Sequence, residues 1–107
     1  MVSVEGFRKL ALSFPGAVEL PHFDRSSFRI NNKIFATLVV EKAIACIMLT
    51  IADQDVFCTH NKSIIYPVPN KWGLKGATYF ELKKVRKSMV KDALQLAYSR
   101  HIKKSSN

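Results

Sequence analysis

Apolar residues recur at helical spacing at the start of the chain and again in its last quarter, with short apolar runs between. The first helix is predicted to be capped by Ser3, whose hydroxyl can accept a backbone hydrogen bond. Pro15 and Gly16 end it, because the residue before a proline resists the helical region. Its apolar face comprises Val4, Phe7, Leu10, Ala11 and Phe14.

Short apolar segments between the helices predict strands. Asn31 and Asn32 tolerate positive φ, so a two-residue hairpin turn is expected at them. Segments 34–40 and 43–49 are apolar at nearly every position, so we expect both of their faces to be largely covered, by helices or by an apolar partner. The predicted strands are residues 17–22, 27–30, 33–40, 43–49, 63–66 and 77–82.

Two more helices complete the pattern. Thr50 can cap a short helix over residues 51–59, and a long helix is predicted from about residue 83 to 102. The core face of the long helix is predicted to be Leu82, Val85, Met89, Ala93, Leu96 and Ala97. Lys84, Lys87 and Lys91 then stack on its exposed face, and residues 103–107 form a frayed tail.

Charge is the strongest signal of composition. The 107 residues carry 17 Lys and Arg against 8 Asp and Glu, a net charge of +9, and suit a single domain. The excess is concentrated after residue 82, where 8 basic residues face only Asp92. Such a field favours an anionic partner such as nucleic acid, anionic lipid or an acidic protein, or else solubilises the surface.

Other features bear on the compartment. No apolar run reaches the roughly 18 residues of a membrane span, and the N-terminus lacks the apolar core of a signal peptide. Cys46 and Cys58 do not suggest a disulfide framework. These patterns predict a cytoplasmic protein without a membrane partner.

Catalytic and metal-binding patterns are weak in this sequence. His22, His60 and His101 are scattered and lack zinc-type spacing with the two cysteines. Cys58 and His60 could form a nucleophile and its base, but no orienting third residue accompanies them. We therefore predict neither enzymatic activity, nor a metal, nor a cofactor.

Two segments have both a binding and a structural interpretation. His22, Arg25 and Arg29 could form an anion-binding rim, or Asp24 could pair with Arg25 while Phe23 fills the core. In the loop over residues 67–76, Trp72 lies between Lys71 and Lys75 and could stack on a base. Alternatively, this tryptophan folds back onto the core.

The stretch "FPGAVELPHFDRSSFRINNKIFATL" resembles the MmcQ/YjbR family of small bacterial proteins, and the later Trp72-Gly73 and "DALQLAY" also fit. The resemblance implies one α+β domain over residues 1–107, similar to frataxin-type and secretion-chaperone-like folds. It implies an antiparallel sheet of about five to six strands, packed by an N-terminal helix, a short middle helix and a long C-terminal helix. It also implies DNA binding through two hairpin wings, which fall on Asn31-Asn32 and on the Trp72 loop.

The leading hypothesis is a monomeric, non-enzymatic protein that binds DNA with little sequence preference. About five phosphate contacts would give a slope near −4 to −5 in log affinity against log salt. The alternatives are a secretion-chaperone-type interaction module with a protein partner, and an unrecognised enzyme or small-ligand binder. The predicted contacts are Arg25, Arg29, Lys33, Lys71, Trp72, Lys75, Lys84, Lys87 and Lys91.

Overall fold

The computed structural model describes residues 1–105, with side chains as far as Ile102. Within this range, helices and strands follow one another in an α+β order. The elements are α1 (Val4–Leu12), β1 (Val18–His22), β2 (Arg25–Ile30), β3 (Lys33–Val39), β4 (Ile44–Met48), α2 (Ile51–Cys58), β5 (Ile65–Pro67), α3 (Lys71–Leu74), β6 (Ala77–Glu81) and α4 (Lys87–Ser105).

The local signals for helix starts and for the hairpin are confirmed. The Ser3 hydroxyl accepts a hydrogen bond from the backbone N–H of Gly6 at 2.9 Å, and Thr50 caps α2 in the same way. Asn31 and Asn32 have φ of 53° and 64°, which is the conformation of a type I′ turn. The turn sets the register in which Ile30 pairs with Lys33.

The six strands form one antiparallel sheet in the order β1-β2-β3-β4-β6-β5. The helices cover one face, where Phe28, Ala36, Ile47 and Phe80 are fully buried in a single apolar core. The predicted α+β class and its three main helices are therefore confirmed. The one-turn helix α3 lies in the segment predicted as a loop. No helix in the described part of the chain is both long and apolar enough to cross a bilayer.

The residues of β3 and β4 are largely buried on both faces, as predicted, but helices cover only one of the two faces. Alternate residues of these strands point away from the helices and line a recess on the other side of the sheet. We call this side the open face. Its apolar residues pack sideways against each other, in a small cluster of Cys46, Val68 and Ala77 with Met48 and Tyr79 beside it.

The long helix begins later than predicted and is rotated. The backbone N–H groups of Lys84 and Val85 both bond to the carbonyl of Glu81, which forms a turn before α4 starts at Lys87. Val90 and Leu94 are fully buried, whereas Leu96 is 41% exposed. Of the predicted frayed tail, residues 103–105 are helical, and residues 106–107 lie outside the described residues.

Candidate functional site

A groove of about 790 Å³ lies on the open face of the sheet. Thr37, Cys46 and Tyr79 line its floor. Phe23, at the β1–β2 turn, and Trp72, in α3, line it from the two sides. We call this recess the groove. It is large enough for a small organic ligand, since ligand pockets span about 300 to 1,000 Å³.

Trp72 is held at the lip of the groove by the short helix that carries it. The Asn70 side chain accepts a hydrogen bond from the Trp72 backbone N–H at 2.8 Å and so caps α3. The Lys75 ammonium lies 5.4 Å from the centroid of the indole, which is a cation–π contact. Because Trp72 remains 55% exposed, the interpretation that it folds back onto the core is wrong.

A buried amide anchors α3 to the rest of the protein. The Gln54 side chain, from α2, donates to the carbonyl oxygens of Gly73 at 2.9 Å and Ala77 at 3.1 Å. A single glutamine therefore fixes both ends of the segment that follows Trp72. Gln54 carries no signal in the sequence, because its partners are backbone groups distant in the chain.

Phe23 forms the opposite lip and does not fill the core. It is 95% exposed, and its φ is 59°. A bulky residue at positive φ is a genuine outlier, because its β-carbon crowds the following carbonyl. The centroids of the Phe23 and His22 rings are 4.8 Å apart. Of the structural interpretation of this segment, the pairing of Asp24 with Arg25 is present, at 3.4 Å, and the burial of Phe23 is not.

Two protonation equilibria are perturbed on the open face of the sheet, and one of them is at the floor of the groove. Burial raises the pKa of Cys46 to about 11, although the nearby positive charge of Arg25 opposes the shift. Burial, with a hydrogen bond to Glu81, raises the pKa of Tyr66 to about 12. A thiol with so high a pKa is protonated at neutral pH, so Cys46 is not an activated nucleophile.

These shifts predict that the protein loses stability in alkali. Both groups hold their protons more tightly when folded, so the stabilisation is complete below about pH 9 and declines as pH rises towards 11 and 12. We expect Cys46 to lower the free energy of unfolding by about 2 kcal/mol between pH 8 and about pH 11. Urea unfolding at the two pH values measures this for wild type and Cys46→Ala. An identical pH dependence in both would contradict it.

The register of the sheet brings the two proposed wings to one end. Met48, which ends β4, pairs with Ala77, which starts β6, while Arg29 near the end of β2 pairs with Ile34. The Asn31–Asn32 turn and α3 therefore lie at the same end, which we call the wing end. Only β4 separates β3 from β6, so these loops join the sheet about 10 Å apart.

The structure divides the predicted nucleic-acid contacts into three groups. Lys33, Lys71 and Lys75 are exposed at the wing end. Arg29 lies near them on the open face, and its Nε donates to the Ser27 hydroxyl at 2.9 Å. Arg25 instead lines the groove. The wing end also receives the last turns of α4, where the Arg100 guanidinium donates to the carbonyl of Met48 at 3.3 Å.

The lysines of the predicted helical stripe lie elsewhere. Lys84, Lys87 and Lys91 are exposed, as expected. However, Lys84 belongs to the turn before α4, and the segment from Lys84 to Lys87 follows the far end of β6. The sheet thus separates this part of the helix layer from the groove. The three lysines do not form one surface with the wing end.

The proposed Cys58–His60 dyad has no catalytic arrangement. Cys58 is buried in the main core with a pKa raised by burial, whereas His60 is exposed beyond the end of α2. Both cysteines are free thiols. Among the side chains that the structure describes, no cluster of three or more His, Cys, Asp or Glu could hold a metal ion.

Comparison with known proteins identifies a structural neighbour. No family model matches the chain, and no curated protein matches it significantly. The crystal structure of Deinococcus radiodurans protein DR2400, a DUF419 domain, is similar with a TM-score of 0.83 and 16% identity. The match covers 98% of this chain and 82% of that one. The protein therefore has the same fold as DR2400.

Proposed function

We propose that the chain is a member of the MmcQ/YjbR family and binds DNA without catalysis, through the backbone phosphates and with little sequence preference. The DUF419 fold of its structural neighbour is related to the MmcQ/YjbR fold, which supports the family resemblance of the Phe14-to-Leu38 stretch. The DNA-binding role rests on the surface of this chain.

The observation that carries the proposal is the pairing of two basic loops at the wing end. Lys33 follows the Asn31–Asn32 turn, and Lys71 and Lys75 flank Trp72 in the second loop. The loops join the sheet about 10 Å apart, which is comparable with the width of a DNA groove, about 6 Å for the minor and 12 Å for the major groove. Both loops can therefore reach phosphates of one duplex.

The distribution of carboxylates adds to the excess of positive charge at the wing end. Three carboxylates lie at the end of the sheet opposite the wings. They are Asp24 in the β1–β2 turn, Glu41 in the β3–β4 turn and Glu81 at the end of β6. Two carboxylates lie nearer the wing end. Glu19, near the start of β1, pairs with Arg8 at 3.0 Å, and Asp53 lies in the first turn of α2. A positive end on a protein of net charge +9 attracts the DNA backbone without selecting bases.

Fluorescence anisotropy with a labelled duplex tests the proposal. Phosphate contacts by four wing-end cations, Arg29, Lys33, Lys71 and Lys75, predict a slope of about −3 to −4 in log affinity against log salt. Replacing Lys71 and Lys75 by Gln should weaken binding about ten-fold at low salt and reduce the slope by about two units, because two phosphate contacts are lost.

A charge-matched control distinguishes a site from diffuse attraction. Lys87→Gln with Lys91→Gln removes the same charge from the helix layer and should change affinity less than the wing pair does. Equal, small losses from the two pairs would mean that the charge acts diffusely. Absence of duplex binding at low salt would exclude the proposal outright.

A protein-interaction role of the secretion-chaperone type is the second candidate. Val18 and Leu20 are exposed on β1, which is an edge strand of the sheet. An edge with exposed apolar side chains can pair with another chain, although Pro21 removes one backbone donor. Light scattering of wild type and Leu20→Lys tests this role. A wild-type monomer at high concentration argues against self-association through this edge.

A further inference from the structure

The two lips of the groove carry exposed aromatic rings, and both rings are held there by specific local structure. Phe23 is 95% exposed at a positive φ, a conformation that glycine or asparagine would adopt at lower cost. Trp72 is fixed by its capping Asn70 and, through Gly73, by Gln54. Burial does not explain the position of Phe23, since its ring contacts only His22 among the described aromatic pairs.

The groove also contains a cation, Arg25, whose ion-pair partner Asp24 lines the groove beside it. Arg25 lines it and lies close enough to Cys46 to influence the thiol. The described hydrogen bonds use one guanidinium donor, Nε, in a long 3.4 Å contact with Asp24. An arginine carries five N–H donors in a planar fork, which suits a phosphate. His22 lines the same side of the groove.

We propose that the groove binds unpaired nucleotides, with one base against Trp72, a second base against Phe23 and a phosphate at Arg25. Aromatic side chains stack on bases of any sequence, and a neighbouring cation neutralises the phosphate. A paired base cannot enter such a recess, so the occupant is unpaired. This inference rests on the proposed function, because the proposed function supplies the nucleic acid. It adds a site for a single strand to the wing end, which binds duplex.

Trp72 is the only tryptophan of the chain, so its fluorescence reports on the groove directly. We expect an unlabelled dT octamer to quench it in a saturable manner. Phe23→Ala and Arg25→Gln should each weaken this binding about ten-fold, within the range known for loss of one stacked base. Val56→Ala and Lys91→Gln alter exposed side chains of the helix layer and should change the dissociation constant less than two-fold.

Two probes distinguish the sources of the nucleotide. Saturable quenching by adenosine monophosphate as well as by the octamer supports a site for a free nucleotide. Quenching by the octamer alone supports a site that takes a base only within a strand. Absence of saturable quenching by either probe overturns the proposal, as would wild-type affinity in both Phe23→Ala and Arg25→Gln.

The proposal for the groove and the proposal for the wing end can be disproved separately. Phe23→Ala and Arg25→Gln should retain duplex binding measured by anisotropy, whereas Lys71→Gln with Lys75→Gln should lose it. If duplex binding is absent but the octamer still quenches Trp72, the wing-end function is wrong and the groove stands. Circular dichroism of each variant excludes misfolding. Phe23→Asn, which suits positive φ, repeats the loss of the ring without backbone strain.

Discussion

Gly76→Ala is expected to lower the free energy of unfolding by about 3 kcal/mol or more, a size seen only when a substitution breaks a specific structural constraint. A β-carbon at this position would lie 1.9 Å from the carbonyl oxygen of Leu49. Gly76 also has φ of 112°, which other residues rarely adopt. The obstacle is backbone at the end of β4, so no side-chain rotation can relieve it.

Urea unfolding measures the effect, and Gly6→Ala is the matched control. Its β-carbon would approach the Ser3 hydroxyl at 3.0 Å within α1, a contact that a small shift relieves. Because alanine favours helix by up to about 1 kcal/mol over glycine, this control should be neutral or stabilising. A cost below about 1 kcal/mol for Gly76→Ala would show that the close approach of the two segments is not required.

The consequence of Gly76→Ala extends to the candidate site. Gly76 and Gly73 both allow close backbone contact, and a β-carbon on Gly73 would lie 1.8 Å from the Val68 carbonyl oxygen. These contacts, with the hydrogen bonds from Gln54, hold α3 against the sheet. Any variant that displaces the segment also displaces Trp72, so the fold and the lip of the groove depend on the same glycines.

Phe35→Ala is expected to lower the free energy of unfolding by about 3 to 5 kcal/mol, which is the range for truncating a buried phenylalanine. Phe35 is fully buried where the pairing of β2 with β3 shifts register. Its ring makes edge contacts with Phe14 at 6.3 Å and with Tyr98 at 5.8 Å. The cluster joins the end of α1, the sheet and α4, and the Tyr98 hydroxyl donates to the Pro15 carbonyl. The cavity would therefore loosen three elements at once.

Phe23→Ala provides the control with identical chemistry. Because the Phe23 ring is exposed, its truncation should change stability by less than about 0.5 kcal/mol. Denaturant unfolding of both variants tests the contrast. If the two substitutions cost the same, the assignment of Phe35 to the core and Phe23 to the groove is wrong.

Local signals in the sequence determined much of the fold. The Ser3 and Thr50 caps, the Asn31-Asn32 turn and the strand segments all act between residues close in the chain, and each is present near its predicted position. The two boundaries that moved most are those of α4, which starts at Lys87 instead of about residue 83 and extends to Ser105 instead of residue 102. The net charge and the flanking of Trp72 by lysines also follow from sequence alone.

The faces of the elements were decided by tertiary structure. An apolar run predicts burial but does not say whether helices, neighbouring side chains or a partner provide it. The sequence therefore could not show that the open face of β3 and β4 has no helix on it. The rotation of α4 depends on Leu82 and Val85, whose burial fixes the turn before the helix.

Long-range register alone assembled the candidate site. The insertion of β6 between β4 and β5 places the Trp72 segment at the same end as the Asn31-Asn32 turn. The same packing separates both from Lys84, Lys87 and Lys91, which carry the same charge. Charge along the chain reveals that cations are present, but only the strand order determines which of them share a surface, because that order is set by contacts between residues far apart in sequence.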